Sequence, residues 1–366
     1  ARAGLPPFAA SCRLAASIPI PFMKSEFELI DAFARRIRRA GARPRGVVVG
    51  VGDDAAVLRP NAREDLVVTT DALVEGVHFE RRWLYGVNLG RRLAAVNLSD
   101  IAAMGAEPRF ALVSFAIPRG TPPSFMEDIE RGAVAMLARY GAQVVGGNVT
   151  STRGPLVCDM TVIGACARGK AWPRDARAGD VIIVVGELGA AAAGVALLRS
   201  GKKGGALVKA YTHPVPRLDV SRALSGAYLR GAIDVSDGLS SDLIHMCEAG
   251  GVGCEIHAHA LPVGRGVRAF CVARGEDPAD WALHAGEDYA LVLAVARKHA
   301  ADVCRVLRRA RIRSAIVGKF TRDRGVYRII ESGSRVRQFR PGGWDHMKNG
   351  RRRARVRTTP PTKARH

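Results

Sequence analysis

Carboxylates stand in groups along this chain, at places where a short apolar run breaks off. Asp53 and Asp54 follow Val47-Val48-Val49 through Gly50-Val51-Gly52, and Asp71 follows Leu66-Val67-Val68 through Thr69-Thr70. Asn97-Leu98-Ser99-Asp100, Ile233-Asp234-Val235-Ser236-Asp237-Gly238 and Gly286-Glu287-Asp288-Tyr289 come later. Apolar runs of this length read as buried strands, so the acids are expected at strand ends, where the chain emerges into a cleft. Glycines allow a tight bend and close approach of backbone to a ligand. Adjacent carboxylates repel unless cations offset their charge. In a chain of net charge +22, acids concentrated in this way suggest a magnesium site. A single Gly-Asp-Asp is an ordinary turn between strands; the ordered series of motifs is what points to chemistry. Gly201-Lys202-Lys203-Gly204 lacks the Walker spacing, and Gly50-x-Gly52 does not continue into a dinucleotide fingerprint, because Ala55 takes the place of the third glycine. Phosphate binding here would therefore depend on metals.

The elements that must position these groups can be read from periodicity. A helix with capping-box spacing at Ser25-Glu26-Phe27-Glu28 is expected to end near Gly41. Two strands are expected to bracket the Asp53/Asp54 turn, the second being Leu66 to Thr70. Arg91 to Met104 reads as a helix on which Asn97 and Asp100, three apart, are neighbours. Phe110 to Ile117 reads as a strand, and Ser124 with Glu127 is expected to cap a helix running to Tyr140. Gln143 to Val145 is a strand leading into Gly146-Gly147-Asn148, and Leu156 to Cys166 is another. Gly169, Pro173 and Gly179 mark a domain boundary. Beyond it come strands at Val181–Val185, Ala232–Val235, Tyr289–Val295 and Ala315–Val317, with helices at Leu188–Leu198, Ser241–Glu248 and His299–Arg309.

At 366 residues the chain is long enough for two domains with substantial cores. No apolar run approaches the ~18 residues that span a bilayer. The seven cysteines include no Cys-x-x-Cys pair, which fits a reducing cytoplasm better than a disulfide framework. Removing from +22 the eight basic residues of 347–366 and the two of 1–22 leaves +12 over residues 23–346. A positive field raises the local concentration of anionic substrates. The tail competes as a nucleic-acid contact, but it lacks interleaved aromatics and reads as an appendage capable only of non-specific contact.

With Val74-Glu75-Gly76-Val77-His78-Phe79, Asn97 to Ala106 and the closing Gly343-Trp344-Asp345-His346 added, the chain resembles the thiamine-monophosphate kinases from about Met23 to about His346. That family lies in the superfamily of aminoimidazole-ribonucleotide synthetase and selenophosphate synthetase. The resemblance implies an α+β fold of two mixed α/β-sheet domains of the aminoimidazole-ribonucleotide synthetase-like type. Residues 1–22 would be a disordered extension, 23–166 an N-terminal domain for ATP, magnesium and dimerisation, 167–346 a C-terminal domain, and 347–366 a basic disordered tail. It implies a cytoplasmic homodimer, with no membrane role, that passes the γ-phosphoryl group of ATP directly to thiamine monophosphate with several magnesium ions. Matched to the family, Asp54, Thr69, Thr70, Asp71, Asp100, Asn148, Asp234 and Asp237 fall on metal ligands, and Asp53 could support them through water. Tyr140, Gly147, Asn148, Arg174 and Ser236 fall on ATP contacts. His78, Glu287 and Trp344 fall on thiamine-phosphate positions, where Trp344 could stack on the ring and Glu287 could offset its charge or accept a hydrogen bond. Asn148 stands where the family often has aspartate, which weakens one ion's binding by removing a full charge. A selenophosphate synthetase would need a reactive Cys or selenocysteine near an N-terminal glycine-rich loop, and a hydrogenase-maturation relative a C-terminal cysteine; this sequence shows neither.

Overall fold

The computed structural model describes residues 47–342 other than 50–52, 54, 62, 225–228, 332 and 334. The predicted helix at 25–41, Asp54, Trp344 and both tails lie outside the described residues.

In the first half, β1 (Val47–Val49), β2 (Ala56–Leu58) and β3 (Glu64–Val74) precede helix α1 (Gly86–Ala103). Then come β4 (Glu107–Pro118), α2 (Pro123–Arg139), β5 (Gln143–Thr152) and β6 (Val157–Ala167). The strands form one sheet in the order β1-β2-β3-β6-β4-β5, in which only the β4–β5 pair is parallel. Along β3, Asp65, Val67, Thr69 and Leu73 are buried while their neighbours are not, the period of two expected of a strand with one covered face. Helices α1 and α2 cover that face. Their backbones approach closely: a Cβ on Gly90 would lie 1.8 Å from the Ile129 carbonyl oxygen, and one on Gly132 would lie 2.0 Å from that of Val87.

The second half opens with β7 (Val181–Val185), α3 (Ala190–Arg199), α4 (Ala206–Thr212), α5 (Leu218–Ala223) and β8 (Gly231–Asp234). It continues through α6 (Leu239–Gly250), β9 (Gly253–His257), α7 (Arg265–Val272), α8 (Pro278–His284) and β10 (Leu291–Val295). It closes with α9 (Ala300–Arg309), β11 (Ser314–Thr321), β12 (Tyr327–Ile330) and β13 (Val336–Gln338). Its sheet runs β13-β12-β9-β11-β7-β10-β8, with only β12–β9 parallel. Strands β7 and β10 are covered on both faces, by α6, α7 and α8 on one side and by α5 and α9 on the other. This is why Val-Ile-Ile-Val-Val and Leu-Val-Leu-Ala-Val show no polar alternation.

Helix α1 is buried almost all round because it also packs on α5 and β8 of the second sheet. The connection between the halves is fastened too. Trp172 is buried against Gly105, donates its backbone N–H to the Met104 carbonyl at 3.0 Å, and is followed by Pro173, whose carbonyl accepts from Ala232 of β8 at 3.1 Å.

Three sequence expectations need correction. Strand β3 does not stop at Thr70 but runs to Val74, so Thr69 to Asp71 lie within a strand. Likewise β5 continues through Gly146-Gly147-Asn148 to Thr152, because pairing with β4 supports it. Helix α2 begins after Pro122 with proline at its first position, and no side chain caps it, so the Ser124/Glu127 spacing does not act as a capping box. The intervening strand β2 was not anticipated.

Because Gly90 touches backbone rather than a movable side chain, Gly90→Ala is expected to destabilise the protein by about 1–3 kcal/mol. Urea unfolding monitored by circular dichroism checks this; an unchanged midpoint would mean that α1 and α2 separate without penalty.

Candidate functional site

The site is assembled on the two faces of α1. Pairing of β2 with β3 ends at Ala56↔Val68, which leaves the following stretch of β3 without a strand on that side among the described residues. Side chains of α1 meet it instead, and one of them takes a backbone bond that a strand would have taken. Asn97, fully buried, accepts the backbone N–H of Asp71 on its Oδ1 at 3.0 Å and donates its amide to the Leu93 carbonyl at 3.0 Å. One turn on, Asp100 Oδ2 accepts the Thr69 hydroxyl at 2.6 Å. The opposite face of the helix carries Ser99, whose hydroxyl donates to Asp234 Oδ2 at 2.5 Å, where β8 ends. One helix thus fixes acids from both sheets.

Asp234 reports how close the groups stand. Burial pushes its carboxyl up to about 7, the Ser99 hydroxyl opposes that rise, the negative charges of Asp71 and Asp237 add to it, and Arg174 counteracts. Acids of the two domains therefore share one electrostatic neighbourhood with an arginine from the connection. Arg174 is placed by its backbone, which donates to Asp53 Oδ2 at 2.9 Å.

The Ser236–Asp237 turn is held by the 286–289 segment. Glu287 and Tyr289 donate backbone N–H groups to Ser236 and Val235 carbonyls at 2.7 and 2.9 Å. A Cβ on Gly286 would lie 2.5 Å from the Ser236 carbonyl oxygen, so only glycine fits. Glu287 (φ +65°) and Tyr289 (φ +50°) adopt left-handed backbone, at about 1–3 kcal/mol each. Between them Asp288 is half-buried, its carboxyl pushed up to about 7 by desolvation, and it accepts the N–H groups of Gly189 at 2.6 Å and Ala191 at 3.2 Å at the start of α3. The Glu287 carboxylate pairs with Arg92 of α1. His78 lies in the turn after β3, where its Nδ1 accepts the Val74 N–H at 3.0 Å, which leaves the ring proton on Nε2.

The structure therefore gathers Asp53, Thr69, Asp71, Asp100, Arg174, Asp234, Ser236 and Asp237, with Glu287 beside the Ser236 turn. It does not bring all predicted residues there. Thr70 points to the other face of the sheet, bonding the Met160 carbonyl at 3.2 Å and the Thr161 hydroxyl at 3.0 Å. Asp71, Met160, Val113 and Gly147 lie in one row across β3, β6, β4 and β5. Three strand spacings, about 14 Å, separate the ends of that row. Asn148 is on the outer face, opposite Ser114 and exposed. Tyr140 ends α2, its carbonyl bonded by Arg222 at 3.2 Å and its hydroxyl raised in pKa chiefly by burial. Asn97 and Ser99 were legible only as parts of a motif, and Arg92 gave no sequence signal.

The raised carboxyl of Asp234 has a measurable consequence. A folded-state value above that of the unfolded chain contributes stability that is fully present below the unfolded value near 4 and lost as pH rises through about 7. With divalent cations chelated, the protein is expected to lose stability between about pH 4 and pH 7, and Asp234→Asn to flatten that loss. Urea midpoints in EDTA across this range test it; a variant with the parent's slope would show that the Asp234 carboxyl is not raised in the folded protein.

The AIR synthase related protein N-terminal domain matches residues 52–166, and the corresponding C-terminal domain matches 177–331. The thiamine-monophosphate kinase of Mycobacterium tuberculosis is 38% identical over 282 residues, 76% of this chain and 83% of that protein. Among solved structures, AaThiL complexed with AMPPCP and TMP superposes with a TM-score of 0.76 at 28% identity, covering 88% of this chain and 97% of that one. The thiamine-monophosphate kinase of Stenotrophomonas maltophilia gives 0.67 at 32% identity, covering 83% and 96%. With its two halves matched by both domain families and more than a third of its aligned residues identical to a kinase that it covers to 83%, this protein belongs to the thiamine-monophosphate kinase family of AIR synthase related proteins.

Proposed function

We propose that this chain phosphorylates thiamine monophosphate to thiamine diphosphate at the expense of ATP, as a cytoplasmic enzyme. The observation that carries the reading is the convergence of Asp71 from one domain with Asp234 and Asp237 from the other, beside Arg174. Such a cluster is unfavourable by itself and becomes favourable around cations and phosphates. The acceptor phosphate is already an anion, so the reaction needs no strong base. Its obstacle is bringing two phosphates together, which at 4 Å opposes each unit charge pair by about 4 kcal/mol at an effective dielectric of ~20.

The donor set suits magnesium, since hydroxyl and carboxylate oxygens predominate. Among the described residues no three acidic, histidine or cysteine side chains form a ready-made cage. That fits an ion held by one or two carboxylates together with substrate phosphates. Asp71, Asp100, Asp234 and Asp237 would hold magnesium, with Thr69 and, outside the described residues, Asp54. When bound, magnesium would neutralise charge on the phosphates and favour an in-line approach. Asp53 orients the connection that carries Arg174, whose guanidinium suits a phosphate. Ser99 and Asn97 hold Asp234 and the Asp71 backbone in place. His78 and Glu287, with Trp344 beyond the described residues, would meet the thiamine phosphate.

A homodimer closed over the outer face of the first sheet completes the reading. Phe110, Leu112 and Val145 are 41–52% exposed there, on the two strands β4 and β5. In such a dimer Thr70, Gly147 and Asn148 lie at the boundary between protomers, and with Tyr140 they would reach nucleotide or metal only through association.

Purified protein incubated with ATP and thiamine monophosphate should form thiamine diphosphate only when magnesium is present. Chromatographic detection of product tests this, and its absence with a folded, magnesium-loaded sample would sink the reading. Asp71→Asn should lower kcat/KM on the order of 100-fold with the melting temperature preserved; near-normal turnover would remove Asp71 from the site. Asn148→Asp should lower the magnesium concentration for half-maximal rate at saturating ATP. Superimposed titrations would exclude Asn148 from the metal set.

A further inference from the structure

His78 and Glu287 come from different domains, and two side chains without a role so far join them. Arg92 of α1 is fully buried. It donates through one terminal nitrogen to Glu287 Oε1 and through the other to the Tyr211 carbonyl at 2.7 Å. Its guanidinium lies 4.3 Å from the centre of the Tyr211 ring and 5.8 Å from that of Tyr289. Tyr211, in α4, donates its hydroxyl to the His78 carbonyl at 2.7 Å. A continuous path Glu287–Arg92–Tyr211–His78 therefore crosses between the domains.

This is a poor device for stability alone. A guanidinium taken wholly out of water loses much of its hydration, and a well-packed apolar side chain would join the domains at least as well. Arg92 Nε is also buried with no hydrogen-bond partner among the described residues. What the arrangement does is fix orientation. One oxygen of Glu287 is held by a planar, permanently charged fork, while 31% of the Glu287 side chain remains accessible. Its backbone is already held in a left-handed conformation, so the carboxylate has little freedom left. The turn bearing His78 is tied to the same anchor through Tyr211.

We propose that Arg92 and Tyr211 are positioning residues for the thiamine-phosphate end of the site, setting Glu287 and the His78 turn relative to each other without touching the nucleotide or its metal. The inference rests on the kinase reading. Its test uses Tyr211→Phe, which removes only a hydroxyl, and Arg92→Lys, which keeps the charge but not the fork. KM is measured separately for thiamine monophosphate and for ATP, with thermal melts on the same samples. The KM for thiamine monophosphate should rise about threefold in Tyr211→Phe and about tenfold in Arg92→Lys, while that for ATP stays within about twofold. Calorimetric binding of thiamine monophosphate without ATP should weaken by the same factors. Parallel rises in both KM values, or a lowered melting temperature with neither changed, would overturn the proposal. If Arg92→Lys fails to fold, Tyr211→Phe decides alone. A parent protein that neither binds nor phosphorylates thiamine monophosphate overturns the kinase reading and this inference together; an active parent with unaltered variants overturns this inference only.

Discussion

Mutual repulsion among Asp71, Asp234 and Asp237 is the constraint around which the rest of the molecule is arranged. Negative charges gathered in a partly buried cleft push the chain apart, and Asp234 holds its proton above the ordinary carboxylate range chiefly through burial, with Asp71 and Asp237 adding to the rise. The fold resists through one rigid element. Helix α1 lies between two sheets and gives each acid-bearing segment a neutral hydrogen-bond partner: Asn97 for the Asp71 backbone, Ser99 for Asp234. Neutral partners of this kind fix position without bringing a positive charge of their own. A salt bridge at the same place would have settled the repulsion and removed the site.

The same logic separates the functional carboxylates from the structural ones. Asp65 is as buried as Asp234, yet it is held by Arg59 at 2.7 Å and by the Gly169 N–H at 2.8 Å, and its pKa falls, chiefly through the Arg59 bond. Asp288 is raised by burial like Asp234, but its oxygens are used on backbone N–H groups at the start of α3. Three aspartates drawn out of water thus have three different environments, and Asp234 is the one raised by acids from both domains.

Sequence reading reached the motifs and the element types more readily than their mutual placement. The doubly covered strands β7 and β10 announce themselves as uninterrupted apolar runs, and Asn97 and Asp100 fall on one helix face by spacing alone. The extent of β3 was misread because Thr69-Thr70-Asp71 breaks the apolar pattern, although pairing with β6 carries the strand on to Val74. That one difference decides the faces: within a strand, Thr69 and Asp71 share a side and Thr70 is turned away. A motif list treats the three as equivalent ligands, and only the ladder tells them apart. Arg92 was invisible for a related reason. A basic residue in an otherwise apolar helix looks like a solvated position until a second domain is known to cover it.

The connection between the halves carries an implication for how such chains can be divided. Strand β8 borders its sheet, and it is covered by Pro173 to Asp175, which lie so near that a Cβ on Gly231 would come within 2.3 Å of the Asp175 carbonyl oxygen. A fragment begun at β7 would leave β8 an uncovered border, open to pairing with a second chain. The boundary that looks natural for cutting is therefore part of the architecture of the domain that follows it. Any exchange of catalytic modules between relatives would have to carry the stretch from Trp172 to Asp175 along with the C-terminal half.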